Sequence, residues 1–370
     1  MKALTVGGAM IDTLAIIADD RIERMTMRNA DSSFLLLEEG RKTEALEIST
    51  HLGGGAVNAA VAMSRLGLDV AAMVKLGRDE RAETVLAGLL AEGVSTRWAM
   101  RDGRSPTGAS VLVSSHDRNA AIFTFRGANT LLCEADLVPD AFAVDVVYVS
   151  SLSNEAADSF RAIVAEARAH RALVAANPGI RQLSTRGAAF QEALADIDIL
   201  VVNRAEADAL VTGLVARFGE GGRALRLEPG EKPPRLVARG LATGGHDMSL
   251  AAFFDALRQL GPRYAVVTDG RNGAFLGAPD AIYFCPALEA EVVGTAGAGD
   301  AFNATFTAAI ALGRKPEDAL RAATVNAASV VRHADTQTGL LSHDAVVREL
   351  AARAAELPVR RWSHHEAGLD

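Results

Sequence analysis

Hydrophobic and polar positions follow two different rhythms along this chain, and the switch between them organises it. From residue 144 onward, apolar runs of strand length stand at Val144–Val149, Leu173–Ala176, Ile199–Val202 and Tyr264–Thr268. Stretches with helical spacing separate them, predicting helices over 154–169, 182–195, 204–212 and 248–260. Continuously apolar strands are buried on both faces, so this half predicts a parallel sheet covered by helices and wound with right-handed crossovers. The same rhythm starts the chain, with a strand at 3–8, a helix at Ala56–Leu66, a strand at Val70–Leu76 and a helix over roughly 80–92. Between these lie segments of another kind. Residues 13–50 are charged, with short apolar alternations at Phe34–Leu37 and Ala45–Ile48. Gly108–Val113 and Ala120–Phe125 flank the polar turn His116-Asp117-Arg118-Asn119 and read as a hairpin. Together they predict a small, partly exposed sheet.

The regular rhythm fails at 213–246, a run rich in Gly, Arg and Pro that contains no helix of useful length. It reads as a surface insertion with at most a short β excursion and no functional role. Further on, Val292 and Val293 read as the end of a buried strand, broken by Gly294, Gly297 and Gly299. Ala301–Leu312 is apolar on nearly every face and is expected to be a buried helix, closed by Gly313. Pro316 starts the next helix, a helix over 342–356 is peripheral, and the polar tail Arg360–Asp370 is expected to fray.

Composition narrows the functional classes. Of 370 residues, 49% are apolar and 23% charged, as in ordinary globular proteins. The net charge of −8, from 38 basic and 46 acidic residues, argues against nucleic acid as a main partner. It leaves a local nucleotide site open. Cys133 and Cys285 lack metal or redox spacing and read as free thiols of a reducing compartment. No run reaches membrane-spanning length and the first residues do not read as a signal peptide, so a cytoplasmic location is expected.

Candidate chemistry concentrates in two glycine-rich junctions. In Val292–Phe306 (VVGTAGAGDAFNATF), glycines at a helix start leave backbone N–H groups bare for an anion. Asp300 stands beside them, where a carboxylate would repel that anion unless it has chemical work. It could take a proton from a hydroxyl attacking a phosphoryl group, or merely complement the helix dipole. The earlier junction, Gly53-Gly54-Gly55-Ala56-Val57-Asn58, opens an Ala-rich helix. Asp12, past the first strand, either caps a turn or accepts hydrogen bonds from hydroxyls, and Asn203 with Glu206 has the spacing of a capping box.

These segments resemble the ribokinase-like (PfkB) carbohydrate kinases. GTAGAGDAF is similar to the family signature DTxGAGD, and GGGAVN followed by Arg65-Leu66-Gly67 is similar to its N-terminal glycine motif. The resemblance spans Asp12 to about residue 340. It implies a three-layer α/β/α fold with a mostly parallel central sheet and a small β-sheet lid. The main domain would comprise 1–12, 53–103 and 128–358, the lid 13–52 and 104–127, with 213–246 inserted and 359–370 a tail.

The resemblance also implies roles. Asp300 becomes the catalytic base, and Gly297, Ala298 and Gly299 the anion hole. Asp12, Gly53, Gly54 and Asn58 contact the acceptor. Arg126 either faces the acceptor or makes a surface ion pair. Asn203, Glu206, Thr268, Gly270, Gly273 and Asn326 lie at the nucleotide, with Glu206 reaching Mg2+ through water. ATP is the expected donor, and the lids are expected to pair into a homodimer. The family's leading Asp, which in ribokinase helps bind a monovalent cation, is Gly294 here, so potassium activation is in question.

Ser150-Ser151-Leu152-Ser153 replaces the acidic sugar contact of ribokinase proper, and Gly55 stands where its glycine motif has Lys. The acceptor is therefore left open between a sugar and a nucleoside. Two other classes compete. A dinucleotide-dependent oxidoreductase lacks its G-x-G-x-x-G after the first strand. A catalytically silent sugar-binding regulator would be expected to have lost Asp300 or the glycine loop.

Overall fold

The computed structural model describes residues 1–18, 23–26, 33–36, 40, 42–115, 120–227 and 230–363. Its centre is a ten-stranded sheet. From one edge, the order is Arg360–Ser363, Ala281–Cys285, Ala274–Gly277, Tyr264–Thr268, Ile199–Asn203, Leu173–Ala176, Val146–Val149, Lys2–Gly7, Asp69–Leu76 and Met100–Arg101. Pairing is parallel from Tyr264–Thr268 to Met100–Arg101 and antiparallel across the last three strands on the other side.

Alternation along the strands builds the two cores. Ala3, Val146, Tyr148, Ile199, Val201 and Val266 point into one, with the helices Gly55–Arg65, Ala298–Ala311 and Pro316–Val330. Leu4, Val6, Val147, Val174, Leu200 and Val267 point into the other, with the helices Phe160–Ala169, Arg204–Phe218 and Leu250–Leu260. Three layers result, as the strand pattern implied. The helix Ala298–Ala311 is buried on most of its surface because it lies between two other helices of its layer.

A second sheet, ordered Ala45–Gly53, Met10–Ile17, Gly108–Ser115, Ala120–Phe125, is the small sheet expected from the alternating segments. Asp12 lies within its strand Met10–Ile17 instead of in a turn. A separate two-stranded ribbon pairs Glu23–Thr26 with Ser33–Leu36. The hairpin turn read at 116–119 lies outside the described residues, as does the tail from 364 onward. Cys133 is exposed and Cys285 buried, both free. Among the described residues no helix is long and apolar enough to cross a membrane.

Three expectations need correction. Val292 and Val293 form no strand: the place beside Ala281–Cys285 is taken by Arg360–Ser363, and Val293 instead hangs by its N–H on the carbonyl of Val331. The start of the polar tail is therefore an edge strand, with Trp362 buried against the second core. The interval 213–246 does carry the short β excursion, but it holds helical residues and core anchors as well. The helix Arg204–Phe218 runs six residues into it, and a short helix Arg235–Arg239 precedes the hairpin Leu241–Thr243/His246–Met248. Leu214, Leu236 and Leu241 are buried, which the Gly- and Pro-rich composition concealed.

Leu214→Ala is expected to cost about 2–5 kcal/mol in urea unfolding, as for a core leucine. A loss below about 0.5 kcal/mol would return residue 214 to a surface loop.

Candidate functional site

Parallel strands end together, so Gly7, Ser150, Asn177, Asn203 and Thr268 emerge along one rim of the sheet. In such sheets the rim beyond the strand ends is where ligands bind. Both glycine junctions reach this rim. Asn58 Nδ2 donates to Asp300 Oδ2 at 2.8 Å, joining residues 242 positions apart. Asn58 is only 3% exposed, and its Oδ1 accepts from Thr336 Oγ1 at 3.0 Å and Gln337 Nε2 at 3.1 Å. The amide is thus clamped from both ends and fixes the orientation of the Asp300 carboxylate.

Asp300 lies in the first turn of Ala298–Ala311. Gly297 caps that helix with φ 78°, a left-handed conformation that suits glycine, and a Cβ there would lie 2.6 Å from Thr336 Cβ. The first internal bond runs from Ala301 N–H to the Gly297 carbonyl at 2.9 Å, and no side chain caps the helix. The amides of Ala298, Gly299 and Asp300 therefore precede the bonded ladder. A Cβ on Gly299 would meet nothing within 4 Å, so space lies in front of them. The loop and the carboxylate are adjacent.

Asp12 approaches from the small sheet. Its Oδ1 accepts from the buried Ser110 hydroxyl on the neighbouring strand, and its Oδ2 lies over Gly53, where a Cβ would be only 1.8 Å away. Any side chain at Gly53 would displace the carboxylate. Gly54 follows at the N-terminus of Gly55–Arg65. Arg126, half-buried, donates to Ser153 Oγ at 2.8 Å; burial lowers its pKa and the charge of Arg181 adds to that.

The acids share an electrostatic problem. Burial pushes Asp300 above the usual carboxylate range; the Asn58 amide opposes this and the charge of Asp12 reinforces it. Burial also raises Asp12 against the pull of Ser110 and His51. Glu206, 8% exposed, is pushed up to about 7 by burial, with hydrogen bonds from Asn203 opposing and Asp300 adding to the rise. Asn203 and Glu206 do form the reciprocal cap: Asn203 N–H donates to Glu206 Oε2 at 2.9 Å, and Glu206 N–H to Asn203 Oδ1 at 3.0 Å. A buried carboxylate facing another acid is an environment that a cation would relieve.

Thr268 and Gly270 line a cavity of about 640 Å³ together with Asn203. Gly273 closes the adjoining turn, its carbonyl accepting from Asp269 N–H at 2.8 Å. Asn326 stands apart from the rim. It is fully buried between helices, donating to Thr305 Oγ1 at 2.7 Å and accepting from Leu341 N–H at 2.9 Å.

Sequence reasoning missed Tyr148, Thr336 and Gln337. Tyr148 sits fully buried on a central strand, and its pKa is raised well above normal by burial and by the charges of Asp300 and Glu206, against the pull of the Asn303 side chain. Its tyrosine in an otherwise apolar run was the available signal. Nothing in the sequence marked Thr336 or Gln337, which hold the far side of the Asn58 amide.

A model of the pfkB family of carbohydrate kinases matches residues 22–215 and 241–343. The ribokinase of Bacillus subtilis (strain 168) is 26% identical over 299 residues, covering 80% of this chain and 86% of its own length. A bifunctional ribokinase/ribose-5-phosphate isomerase A of Fructilactobacillus sanfranciscensis is 24% identical over 267 residues; the match spans 70% of this chain and only 43% of that protein. The solved structure of Arabidopsis thaliana ribokinase complexed with ribose and ATP superposes with a TM-score of 0.68 at 21% identity, covering 94% of this chain and 98% of that one. The fold is the ribokinase fold.

The Glu206 environment has a measurable sign. A carboxyl whose folded pKa, about 7, exceeds its unfolded value of 4.5 takes up a proton on folding. Its contribution is fully present below about pH 4.5 and is lost as pH rises through about 7. Glu206→Gln is therefore expected to stabilise the protein by up to about 3 kcal/mol at pH 8, the gain shrinking toward pH 5. A pH-independent difference in urea unfolding would contradict the assigned environment.

Proposed function

The chain belongs to the pfkB family of carbohydrate kinases, and on that premise we propose that it transfers the terminal phosphoryl group of ATP to a hydroxyl of a sugar. The observation carrying this reading is the Asn58–Asp300 hydrogen bond, which brings the acceptor-side glycine junction to the acid beside the open helix start. In this reading Asp12, Gly53, Gly54 and Arg126 line the acceptor side, and Asn203, Glu206, Thr268, Gly270 and Gly273 the donor side. Asp300 accepts the proton of the attacking hydroxyl as its oxygen bonds to the γ-phosphorus. The bond to the β–γ bridging oxygen breaks and ADP departs with that oxygen. Amides of Ala298 and Gly299 face the charge on the transferred group. A raised pKa suits Asp300 to this task, because the proton is then held more strongly near neutral pH.

Mg2+ fits the site by the chemistry of its donors. Glu206 is a buried carboxylate raised further by the charge of Asp300, and a hard cation that keeps its waters would relieve that environment. Glu206 would hold it through water. When bound, the ion neutralises charge on the triphosphate.

The small sheet supports a lid and a dimer. Val111 and Phe123 are paired neighbours, with Phe125 and Ile48 on the same face. All four are exposed, Phe123 by 59% and Ile48 by 69%. Such an apolar face invites a second copy.

Asp300→Asn is expected to keep ATP and acceptor binding and to lose at least about 100-fold in kcat. A coupled assay over sugars and nucleosides supplies the acceptor; unchanged turnover in the variant removes Asp300 as base. Phe123→Asp is expected to shift the protein from dimer to monomer in analytical ultracentrifugation, and a parent chain that sediments as a monomer rejects the lid interface.

A further inference from the structure

The segment between the two family-matched stretches, residues 216–240, carries the helix Arg235–Arg239. That helix reaches the cavity holding Asn203 and Thr268, and both its arginines line the wall. Arg204 and Arg271 line it too, so four arginines and a single acid, Asp269, surround one space of about 640 Å³. Arg204 has an acid nearby, with Asp269 at 3.7 Å. Among the described residues no salt bridge engages Arg235, Arg239 or Arg271. Like charges gathered around an open cavity repel one another unless an anion enters.

The helix is not a loose arm. Arg235 and Arg239 are four residues apart and so share a face, while Leu236 between them is 2% exposed in the second core. Upstream, Arg360 Nη1 of the edge strand donates to the carbonyl of Lys232 at 3.0 Å and pairs with Glu231 at 3.3 Å. Downstream, Leu241 is buried and Ala242 N–H donates to Asp208 Oδ1 of the helix Arg204–Phe218 at 3.0 Å. The helix that carries both arginines is therefore anchored beside the cavity by packing on either side.

We propose that Arg235 and Arg239 bind the phosphate chain of the nucleotide donor, making this inserted segment a donor-binding element of the site. The proposal rests on the kinase reading, because it takes the cavity with Asn203 and Thr268 as the donor side. Arginine suits the task, since its planar fork pairs with phosphate oxygens and keeps its charge at any working pH. Contact with phosphates also carries a signature: the effect must grow with the number of phosphates and vanish for the nucleoside.

Calorimetric titration of the full chain with ATP, ADP and adenosine, in Mg2+ buffer, tests this without requiring turnover. Arg235→Ala/Arg239→Ala is expected to weaken ATP binding by at least tenfold, ADP binding less, and adenosine binding by less than twofold. Arg235→Lys/Arg239→Lys should recover part of the ATP affinity, and ATP affinity of the parent should fall more steeply with added salt than that of the alanine variant. If the parent binds ATP and the folded alanine variant binds it equally well, the arginines are solvated surface charges and the inference fails while the kinase reading stands. Equal losses for ATP and adenosine would also overturn it, since the cavity would then be disturbed as a whole. A parent chain that binds no ATP removes both.

Discussion

One hydrogen bond sets the geometry on which the site depends. Asn58 stands at the start of one buried helix and Asp300 at the start of another, and the bond between them fixes how those helix ends face each other. The packing of the two helices supplies the rigidity, and Thr336 and Gln337 hold the far side of the same amide. A carboxylate left unpaired in this position would be both more costly and free to turn. With the amide in place it presents one oxygen to Asn58 and leaves the other to the open side.

Around that bond the molecule collects acids instead of dispersing them. Asp12, Asp300 and Glu206 come from the small sheet, the late helix and the end of a central strand, yet each is raised by burial; the charge of Asp12 raises Asp300 further and that of Asp300 raises Glu206. Such crowding disfavours full ionisation of the unliganded protein. Tyr148, fully buried, feels the charges of Asp300 and Glu206 as well. The bare amides before Ala301 and the arginines across the rim provide the opposite potential. The rim thus carries a cluster of buried acids next to bare amides and a group of arginines.

Much of this was legible in the residues. Strands such as Leu173–Ala176 and Tyr264–Thr268 announce themselves because burial on both faces demands unbroken apolar runs, and glycine punctuates the chain where the backbone must turn. What escaped depended on partners far away in sequence. Val292-Val293 has strand-like residues, but pairing is decided by which segment wins the sheet edge, and Arg360–Ser363 wins it. The interval 213–246 read as a surface insertion because its anchors, Leu214, Leu236 and Leu241, are isolated among polar residues. Asn326 sits on the expected helix, yet helix rotation turns its amide toward Thr305 and the interior.

The contact between Asp12 and Gly53 has a consequence for how this enzyme family member can diverge. Where a carboxylate lies against naked main chain, the floor of the pocket is drawn in peptide groups, and peptide groups cannot be exchanged by point mutation. Evolution toward a new acceptor is then steered away from that floor and into the neighbouring Ser150–Ser153 loop and the strands above it, where side chains are free to vary.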